Sequence, residues 1–465
     1  MYQYQGLEDT IAAIATPAGQ GGIGIVRISG KEAMTIADSV LRLAQKKTLL
    51  QSESHTVQYG KVVDVKSTEV IDEVLVVLMK APKSYTGEDV IEINCHGGMT
   101  VLRAVLQEVL KAGARMATPG EFTKRAFLHG RLDLAQAEAV IDIIHAKTEN
   151  FLRQSQHQLK GELSTQLNAM REELIKLYTM VEALINFPED GIDAQNRQQI
   201  SGRISTQQKA IARLLESSQS GRILKEGVRI VLCGKPNVGK SSLLNALLKE
   251  QRAIVTDIAG TTRDVLEESA QIKGIPISLV DTAGILEPRD LIEEEAVKRS
   301  HLYIKGADLV LLVLDYSRPL EAQDWALIEQ LKTARVLVVV NKIDLAGQID
   351  EGALNKACGL TGLVKVSAFQ SPSVHELETR IVDLICQGKD LETDGIRVSN
   401  IRHIKALESA HENLKNACRL MNENTSFEFI SEELKSAVNQ LDAITGRNID
   451  DDLLERIFSE FCIGK

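Results

Sequence analysis

Long apolar runs are missing from this 465-residue chain; none approaches the roughly 18–20 residues that a membrane-crossing helix needs. The first residues, Met1-Tyr-Gln-Tyr-Gln, lack a basic segment followed by an apolar one, so no secretory signal is expected. The six cysteines, at 95, 233, 358, 386, 418 and 462, are scattered without a C-x-x-C pair. That spacing argues against both a zinc site and a disulfide framework. The expectation is a cytoplasmic, reducing compartment with no membrane association. A positive excess is lacking too. Lys and Arg number 54 against 64 Asp and Glu, a net charge of −10. This argues against bulk attraction to nucleic acid while leaving room for local basic patches. What remains is an ordinary globular composition, 25% charged and 44% hydrophobic, long enough for two or three domains.

What is present is a complete phosphate loop. Gly234-Lys235-Pro236-Asn237-Val238-Gly239-Lys240-Ser241 satisfies G-x-x-x-x-G-K-S. The β-branched run Val228–Cys233 before it reads as a strand, and Ser242–Leu248 after it as the opening of a helix. Loop N–H groups and a helix N-terminus together cradle phosphate. Lys240 supplies a point charge for the terminal phosphates, and the Ser241 hydroxyl is placed to ligate magnesium.

Downstream segments specify the base. Ile277–Asp281 reads as a buried strand ending in an acid, followed by Thr282-Ala283-Gly284. A strand-end Asp suits the magnesium shell, and the glycine lets the backbone approach the terminal phosphate. Leu309–Asp315 and Arg335–Val340 are further strands, the second leading into Asn341-Lys342-Ile343-Asp344. Asn-Lys-x-Asp is the guanine-reading motif, since the Asp carboxylate accepts from the N1–H and exocyclic amine that adenine cannot offer. Ser367-Ala368, after the short strand Val364–Val366, fits the last guanine loop. The order of these segments on strand ends points to GTP.

Where Ras-type GTPases carry a water-orienting Gln, this chain has Ile285, and no arginine finger is evident. The loop Thr256-Asp257-Ile258-Ala259-Gly260-Thr261-Thr262-Arg263-Asp264 offers hydroxyls and carbonyls that, with the Asn237 amide, can hold a monovalent cation beside the phosphates. Asn237 also has a plainer reading, as a turn residue of the loop.

The expected class is multidomain α/β and α. Residues 1–125 alternate strand-like runs (Ile11–Ile14, Ile23–Ile28, Val74–Met79, Val90–Ile93) with helices such as Thr100–Ala112, an α+β domain. Residues 126–224 and 389–465 read as two parts of one helical domain. The 3-4-3 spacing of Leu134, Ala137, Ile141 and Ile144 marks one amphipathic helix, and Leu454, Ile457, Phe458 and Phe461 the last one, with Asp450–Asp452 at its N-terminal end. Residues 225–388 form an inserted P-loop GTPase domain with a doubly wound, mostly parallel sheet. Hinges are expected near Gly221–Gly227 and Gly388–Gly395.

Two local patterns are set aside. Gly19-Gln-Gly21-Gly22-Ile23-Gly24 satisfies G-x-G-x-x-G, but the strand-like Ile25-Val26-Arg27-Ile28 follows, whereas a dinucleotide fingerprint must open a helix. Cys95-His96 resembles a nucleophile and base, yet adjacent strand residues face opposite ways.

Four separated segments resemble the MnmE (TrmE) family of bacterial tRNA-modification GTPases, among the TrmE-Era-Septin-like GTPases. They are Asp9-Thr-Ile-Ala-Ala-Ile-Ala-Thr-Pro to Gly30, Tyr85-Thr-Gly-Glu-Asp-Val to His96-Gly-Gly98, Pro119-Gly-Glu-Phe to Leu132-Asp-Leu-Ala-Gln-Ala-Glu138, and Phe461-Cys462-Ile-Gly-Lys465. The resemblance implies a homodimer that works with the FAD protein MnmG as a heterotetramer on tRNA. It implies an aminomethyl or carboxymethylaminomethyl group installed at carbon 5 of the wobble uridine. The one-carbon unit would come from a 5-formyl- or methylene-tetrahydrofolate, bound at positions matching Arg27, Glu92, Arg131 and Lys465. Magnesium would be held by Ser241 and Thr262. Potassium would replace the arginine finger, with Asn237, Thr256, Ile258 and Thr261 as ligands, the middle ones through carbonyls. Asn237 to Ser242, Thr256 to Thr262, Asp281 to Gly284, Asn341, Lys342, Asp344, Ser367 and Ala368 would contact GTP; Val238, Gly239 and Lys240 belong to the first run.

The water-orienting acid aligns at Glu293, within Glu287-Pro-Arg-Asp290-Leu-Ile-Glu293. Here the chain departs from the family, with Leu286 for a usual Arg and Glu294-Glu295-Ala296 for Arg-Ile-Gly, so a neighbouring Glu is the alternative. Cys462 has two readings, a nucleophile if its thiol is acidified beside Lys465, or a buried, inert thiol beside Phe458 and Phe461. The competing function is a ribosome-assembly or signalling GTPase acting as a binding switch, which would not bind folate.

Overall fold

The computed structural model describes residues 8–45, 48–186, 194–250, 267–281, 302–357, 362–386 and 395–465. The chain divides into two compact units. One comprises Met1–Ile141, Gln158–Asn186 and Ser431–Lys465; the other comprises Asp142–His157 and Phe187–Ile430.

In the first unit, β1 (Ile11–Ile14), β2 (Ile23–Ser29), β3 (Leu41–Leu43), β4 (Thr56–Val63), β5 (Val70–Met79), β6 (Val90–His96) and β7 (Arg115–Met116) form a sheet in the order β3-β4-β5-β6-β2-β1-β7. Alternation sorts its faces. Val26, Ile28, Val74, Val76, Leu78, Ile91 and Ile93 are buried with Leu102, Val105 and Val109 of the helix Met99–Lys111. The opposite face carries the directly paired residues Tyr59 and Leu75, Val77 and Glu92, and Arg27 and Glu92. The helix Asp451–Ser459 is capped by Asp450, whose carboxylate accepts from the Leu453 N–H (2.7 Å). Such a cap satisfies an N–H left without an intrahelical partner. Its Leu454 and Phe458 join Leu134, Ala137, Ile449 and Phe461 in one buried cluster.

The second unit holds β8 (Val228–Cys233), β9 (Glu267–Ile272), β10 (Ile275–Asp281), β11 (Leu309–Asp315), β12 (Val336–Asn341) and β13 (Leu363–Val366), in the order β13-β12-β11-β8-β10-β9. All pairs are parallel except β9 with β10. Every residue of β11 and β12 is buried, as expected of parallel strands covered on both faces. The expected mixture of an α+β unit, helices and a mostly parallel P-loop sheet is what the chain forms. The edge strand β9 was not foreseen, because its Glu-Glu-Ser-Ala-Gln-Ile sequence has no apolar run to announce it.

The hinge segment expected near Gly221–Gly227 narrows to its last residue. The helix Ala194–Glu226 runs through Gly221 and ends only at Gly227, whose φ is +80°. Gly221 serves close packing instead, since a Cβ there would stand 2.5 Å from the Val398 carbonyl oxygen. Of the second hinge, residues 388–394 lie outside the described residues.

The two rejected patterns behave as their neighbours dictate. Strand β2 begins at Ile23, inside the glycine-rich run, and the Gly21 N–H donates to the Gly97 carbonyl (3.1 Å). Cys95 is buried, which pushes its thiol up to about 12, while exposed His96 lies 2.6 Å from Asp72.

Candidate functional site

The phosphate loop joins β8 to the helix Lys240–Glu250 through backbone angles that restrict the sequence. Gly239 has φ +94°, and a Cβ there would lie 2.3 Å from the Asn341 amide nitrogen; at Gly234 one would lie 2.4 Å from the Val313 carbonyl oxygen. Asn237 adopts φ +66°, a conformation that Asn tolerates better than most side chains. Lys240 is buried, and its Nζ donates to the carbonyls of Gly234 (2.8 Å) and Lys235 (2.7 Å). That burial holds its pKa below the usual lysine range, with Asp281 acting in opposition. The Ser241 hydroxyl donates to Asp281 Oδ2 at 3.1 Å, where β10 ends beside Leu232 of β8. A hydroxyl and a carboxylate at hydrogen-bond range are oxygen donors of the kind magnesium takes. Ser242 is exposed on the next helical position.

Three strands end on one rung, Asp315 of β11 beside Asn341 of β12 beside Val366 of β13. Asn341 joins two loops, its Nδ2 donating to the Val238 carbonyl (3.0 Å) and its Oδ1 accepting from the Ala368 N–H (3.3 Å). Lys342, at φ +67°, donates to the Asn237 carbonyl and to Asp315 Oδ2, both at 2.7 Å. Burial would raise the Asp315 pKa, but Lys342 and Ser317 hold it below the usual range. Buried Ser367 donates its N–H to Ser373 Oγ (3.0 Å), and Asp344 is exposed one turn beyond Asn341. The sequence reading did not single out Asp315 or Ser373. Asp315 carried a signal, an acid closing an all-apolar strand beside the Asn-Lys motif. Ser373 carried none.

Thr256, Asp257, Ile258, Ala259, Gly260, Thr261, Thr262, Thr282, Ala283, Gly284 and Glu293 lie outside the described residues.

A second constellation forms on the other face of the first unit's sheet, where Ile11 and Ala13 are buried with Phe122. Arg27 of β2 stands directly opposite Glu92 of β6, and its guanidinium donates to Glu92 Oε1 at 2.8 Å. A further N–H of Arg27 donates to the Gly464 carbonyl (2.9 Å), and the guanidinium lies 5.6 Å from the Phe122 ring centroid. The chain's last residues are therefore seated beside β1 and β2. Gly464 has φ +96°, and a Cβ on it would meet the Ile14 carbonyl oxygen at 2.5 Å. Lys465 is partly buried; desolvation first, then Arg27, pushes its pKa down, against Glu92 and Cys462. Arg131 is exposed. Its charge and that of Arg27 both act on Tyr85, whose pKa burial raises and whose hydroxyl bonds Thr123 (2.9 Å). Tyr85 and Phe122 are additions to the expected set. Cys462 is exposed, which removes the buried, inert reading of that thiol; its carbonyl accepts from the Gly120 N–H (3.4 Å).

On the same face, the Ser29 hydroxyl donates to Glu88 (2.7 Å), a member of an ion network. Fully buried Arg125 bonds Asp9 (2.7 Å), Glu88 (3.0 Å) and Glu121 (3.0 Å), and Arg115 bonds Asp9 and Glu121, both at 2.6 Å. A buried guanidinium ringed by carboxylates is tolerable because its charge is paired, although the Arg125 Nε itself has no hydrogen-bond partner among the described residues.

Two family models match the chain. The GTP-binding protein TrmE N-terminus spans residues 10–131, and the MnmE helical domain spans 134–462. The tRNA modification GTPase MnmE of Desulforamulus reducens is 46% identical over 460 residues, covering 99% of this chain and 100% of that one. The protein of the same description from Alkaliphilus metalliredigens is 44% identical over 459 residues, with the same coverage. Among solved structures, the G domain of the FeoB protein of T. maritima matches with 33% identity over 34% of this chain and 98% of that one, at a TM-score of 0.26. With identity of this level along the whole length, the chain belongs to the MnmE family of tRNA modification GTPases.

Proposed function

We propose that this protein is the potassium-dependent, GTP-hydrolysing component of a tRNA wobble-uridine C5 modification enzyme, in which a tetrahydrofolate supplies the one-carbon unit. The observation that carries the reading is the pairing in one chain of the phosphate-loop site with a tail seated on Arg27 and Glu92 through the Gly464 carbonyl. An assembly or signalling GTPase has no use for the second.

In the GTPase site, water attacks the γ-phosphorus, the bond to the bridging oxygen of GDP breaks, and phosphate leaves. Loop N–H groups and the Lys240 ammonium meet the phosphate charge, with Thr256 to Thr262 and Asp281 to Gly284 completing the cradle. Ser241 and Thr262 would hold magnesium, which would supply charge neutralisation at the phosphates. Asn237, with Thr256, Ile258 and Thr261, would hold potassium, which would supply the charge that an arginine supplies in other GTPases. Glu293 orients the water. Asn341 and Lys342 tie the phosphate and base loops together, and Asp344 with Ser367 and Ala368 reads guanine.

At the tail pocket, Glu92 accepts from the pterin amino group, while Arg27, Arg131 and Lys465 meet carboxylates. Cys462, exposed three residues before Lys465, is the candidate nucleophile. Residues 1–125 also provide the homodimer contact; the exposed, apolar Ile23, Val57, Tyr59 and Leu75 on the open sheet face suit it. A domain of 225–388 inserted between helical parts 126–224 and 389–465 completes the arrangement, with MnmG as the flavin-bearing partner in the cytoplasm. Mass spectrometry of tRNA nucleosides from a strain lacking this protein tests the reading. Loss of the 5-substituted wobble uridine is expected; an unchanged nucleoside profile overturns it.

A further inference from the structure

The phosphate loop carries two lysines, and they serve different sides of it. Lys240 is buried, and its Nζ donates to the carbonyls of Gly234 (2.8 Å) and Lys235 (2.7 Å). Lys235 instead reaches the helix Ala322–Gln330, donating to Asp324 Oδ2 (2.5 Å) and Glu321 Oε2 (2.9 Å). Its side chain is 17% exposed, and that of Asp324 8%. Asp324 also caps the helix, since the same Oδ2 accepts from the Glu321 N–H (2.9 Å). A cation at a helix N-terminus is opposed by the macrodipole, so the two carboxylates are what hold the ammonium there. Burial would lower the Lys235 pKa, but Asp324 and Glu321 leave it above the usual lysine range. This ammonium is engaged by the helix and is not offered to phosphate.

The carbonyls of the loop are taken in turn. Those of Gly234 and Lys235 receive Lys240, that of Asn237 receives Lys342 (2.7 Å), and that of Val238 receives Asn341 (3.0 Å). In a trans peptide the N–H points opposite to the carbonyl of the residue before it. Fixing the carbonyls of Gly234, Asn237 and Val238 therefore turns the N–H groups of Lys235, Val238 and Gly239 to the other side, where a phosphate would sit. An ammonium has three N–H donors, and two of those on Lys240 are committed to the turn at Gly234 and Lys235. The direction of the third depends on where that turn is held.

We propose that Lys235 is a positioning residue for nucleotide binding: its ion pair with Asp324 and Glu321 moors the first turn of the phosphate loop, and that turn aims the Lys240 ammonium. The proposal deepens the phosphate-loop reading above and rests on it. All of these residues lie within the second unit. An exposed ion pair contributes little, but here the ammonium and one of its two acids are sheltered from water. Without the mooring the loop keeps its other fastenings, while its first turn and Lys240 lose their fixed direction.

Stopped-flow fluorescence of the full-length protein with N-methylanthraniloyl-GDP tests it. Lys235→Met keeps the apolar stem and removes only the ammonium. It should release the nucleotide about tenfold faster and bind it about tenfold more weakly, as expected for a lost bond between charged groups. The effect should fall on affinity, with kcat at saturating GTP moving by less than about twofold. Lys235→Arg, which can still meet both carboxylates, should restore the release rate. Glu321→Gln, at the exposed acid, should raise release about threefold and serves where the lysine variant does not fold. A release rate unchanged in Lys235→Met or in Glu321→Gln overturns the proposal. So does a loss confined to kcat, or an arginine variant as weak as the methionine one. A wild-type protein that does not bind the GDP probe would instead overturn the phosphate-loop reading beneath it.

Discussion

Gly464→Ala should disable the tail pocket while leaving the rest of the molecule intact. The added Cβ would stand 2.5 Å from the Ile14 carbonyl oxygen and 2.8 Å from Ala15 Cα, both backbone atoms that no rotamer change can move. The residue also sits at φ +96°, where an L side chain adds roughly 1–2 kcal/mol. Relief comes from undocking the tail, which forfeits the Arg27 bond to the Gly464 carbonyl; a hydrogen bond to a charged group contributes about 1.5–3 kcal/mol. Because undocking relieves the strain, the two do not add; the cost is limited to the docking contact forfeited, about 1.5–3 kcal/mol, or roughly ten- to a hundredfold. The cost should not spread, because Leu454 and Phe458 keep the helix Asp451–Ser459 in its own cluster. Titration calorimetry with 5-formyl-tetrahydrofolate should show affinity lost to the same degree as in a protein lacking Cys462 to Lys465. Melting temperature and GTP hydrolysis should remain near wild type. Unaltered folate affinity in both proteins would refute the reasoning and leave the tail to a different task, such as catalysis by Cys462.

GTP hydrolysis should be far faster in potassium than in sodium, by a factor comparable to the ~10³–10⁵ that an arginine finger supplies. Asn237→Ala should remove that difference with GDP binding largely kept, and equal rates of wild type in the two salts would end the potassium proposal. Asp344→Asn should weaken GTP binding strongly and favour xanthosine triphosphate; unchanged GTP affinity would show that the base loop has been misassigned. Thermal stability should fall in acid. For Asp9 and Glu121, burial alone would raise the pKa, but the bonds from Arg115 and Arg125 leave both below their ordinary 3.8 and 4.5. Groups depressed in this way stabilise the fold above those ordinary values, and the contribution is lost as pH falls through the lower folded ones. A melting temperature independent of pH across that acid range would contradict the network.

The nucleotide site was legible because its chemistry is local in sequence. A phosphate loop must be a glycine-rich turn between a strand and a helix, and Gly234 and Gly239 occur where carbonyl and amide groups leave no space for a Cβ. Strand ends were legible for a related reason. β8 and β11 are runs of β-branched and apolar residues, and a buried parallel strand has no polar face to blur its limits. Where polar residues interrupt, the reading weakens. The edge strand β9 was missed, and Gly221 suggested a hinge because a glycine's flexibility and its use in close packing look the same in sequence.

The tail pocket shows what spacing alone cannot supply. Arg27 and Glu92 are 65 positions apart and meet because β2 and β6 are adjacent with a register that puts them on one rung. A one-residue slip would send each to the opposite face. Resemblance to a family could name these residues, but not the element that seats the tail against them. That element is Gly464, whose lack of a side chain lets the last turn of chain lie on β1 while its carbonyl receives the Arg27 guanidinium. Arg27 is thereby committed on three sides, to Glu92, to the tail and to the face of Phe122. A ligand carboxylate that recruits this arginine would share it with the Gly464 carbonyl, whose bond uses one N–H of the guanidinium. Ligand binding and the position of Cys462, two residues before that carbonyl, are therefore coupled through one guanidinium.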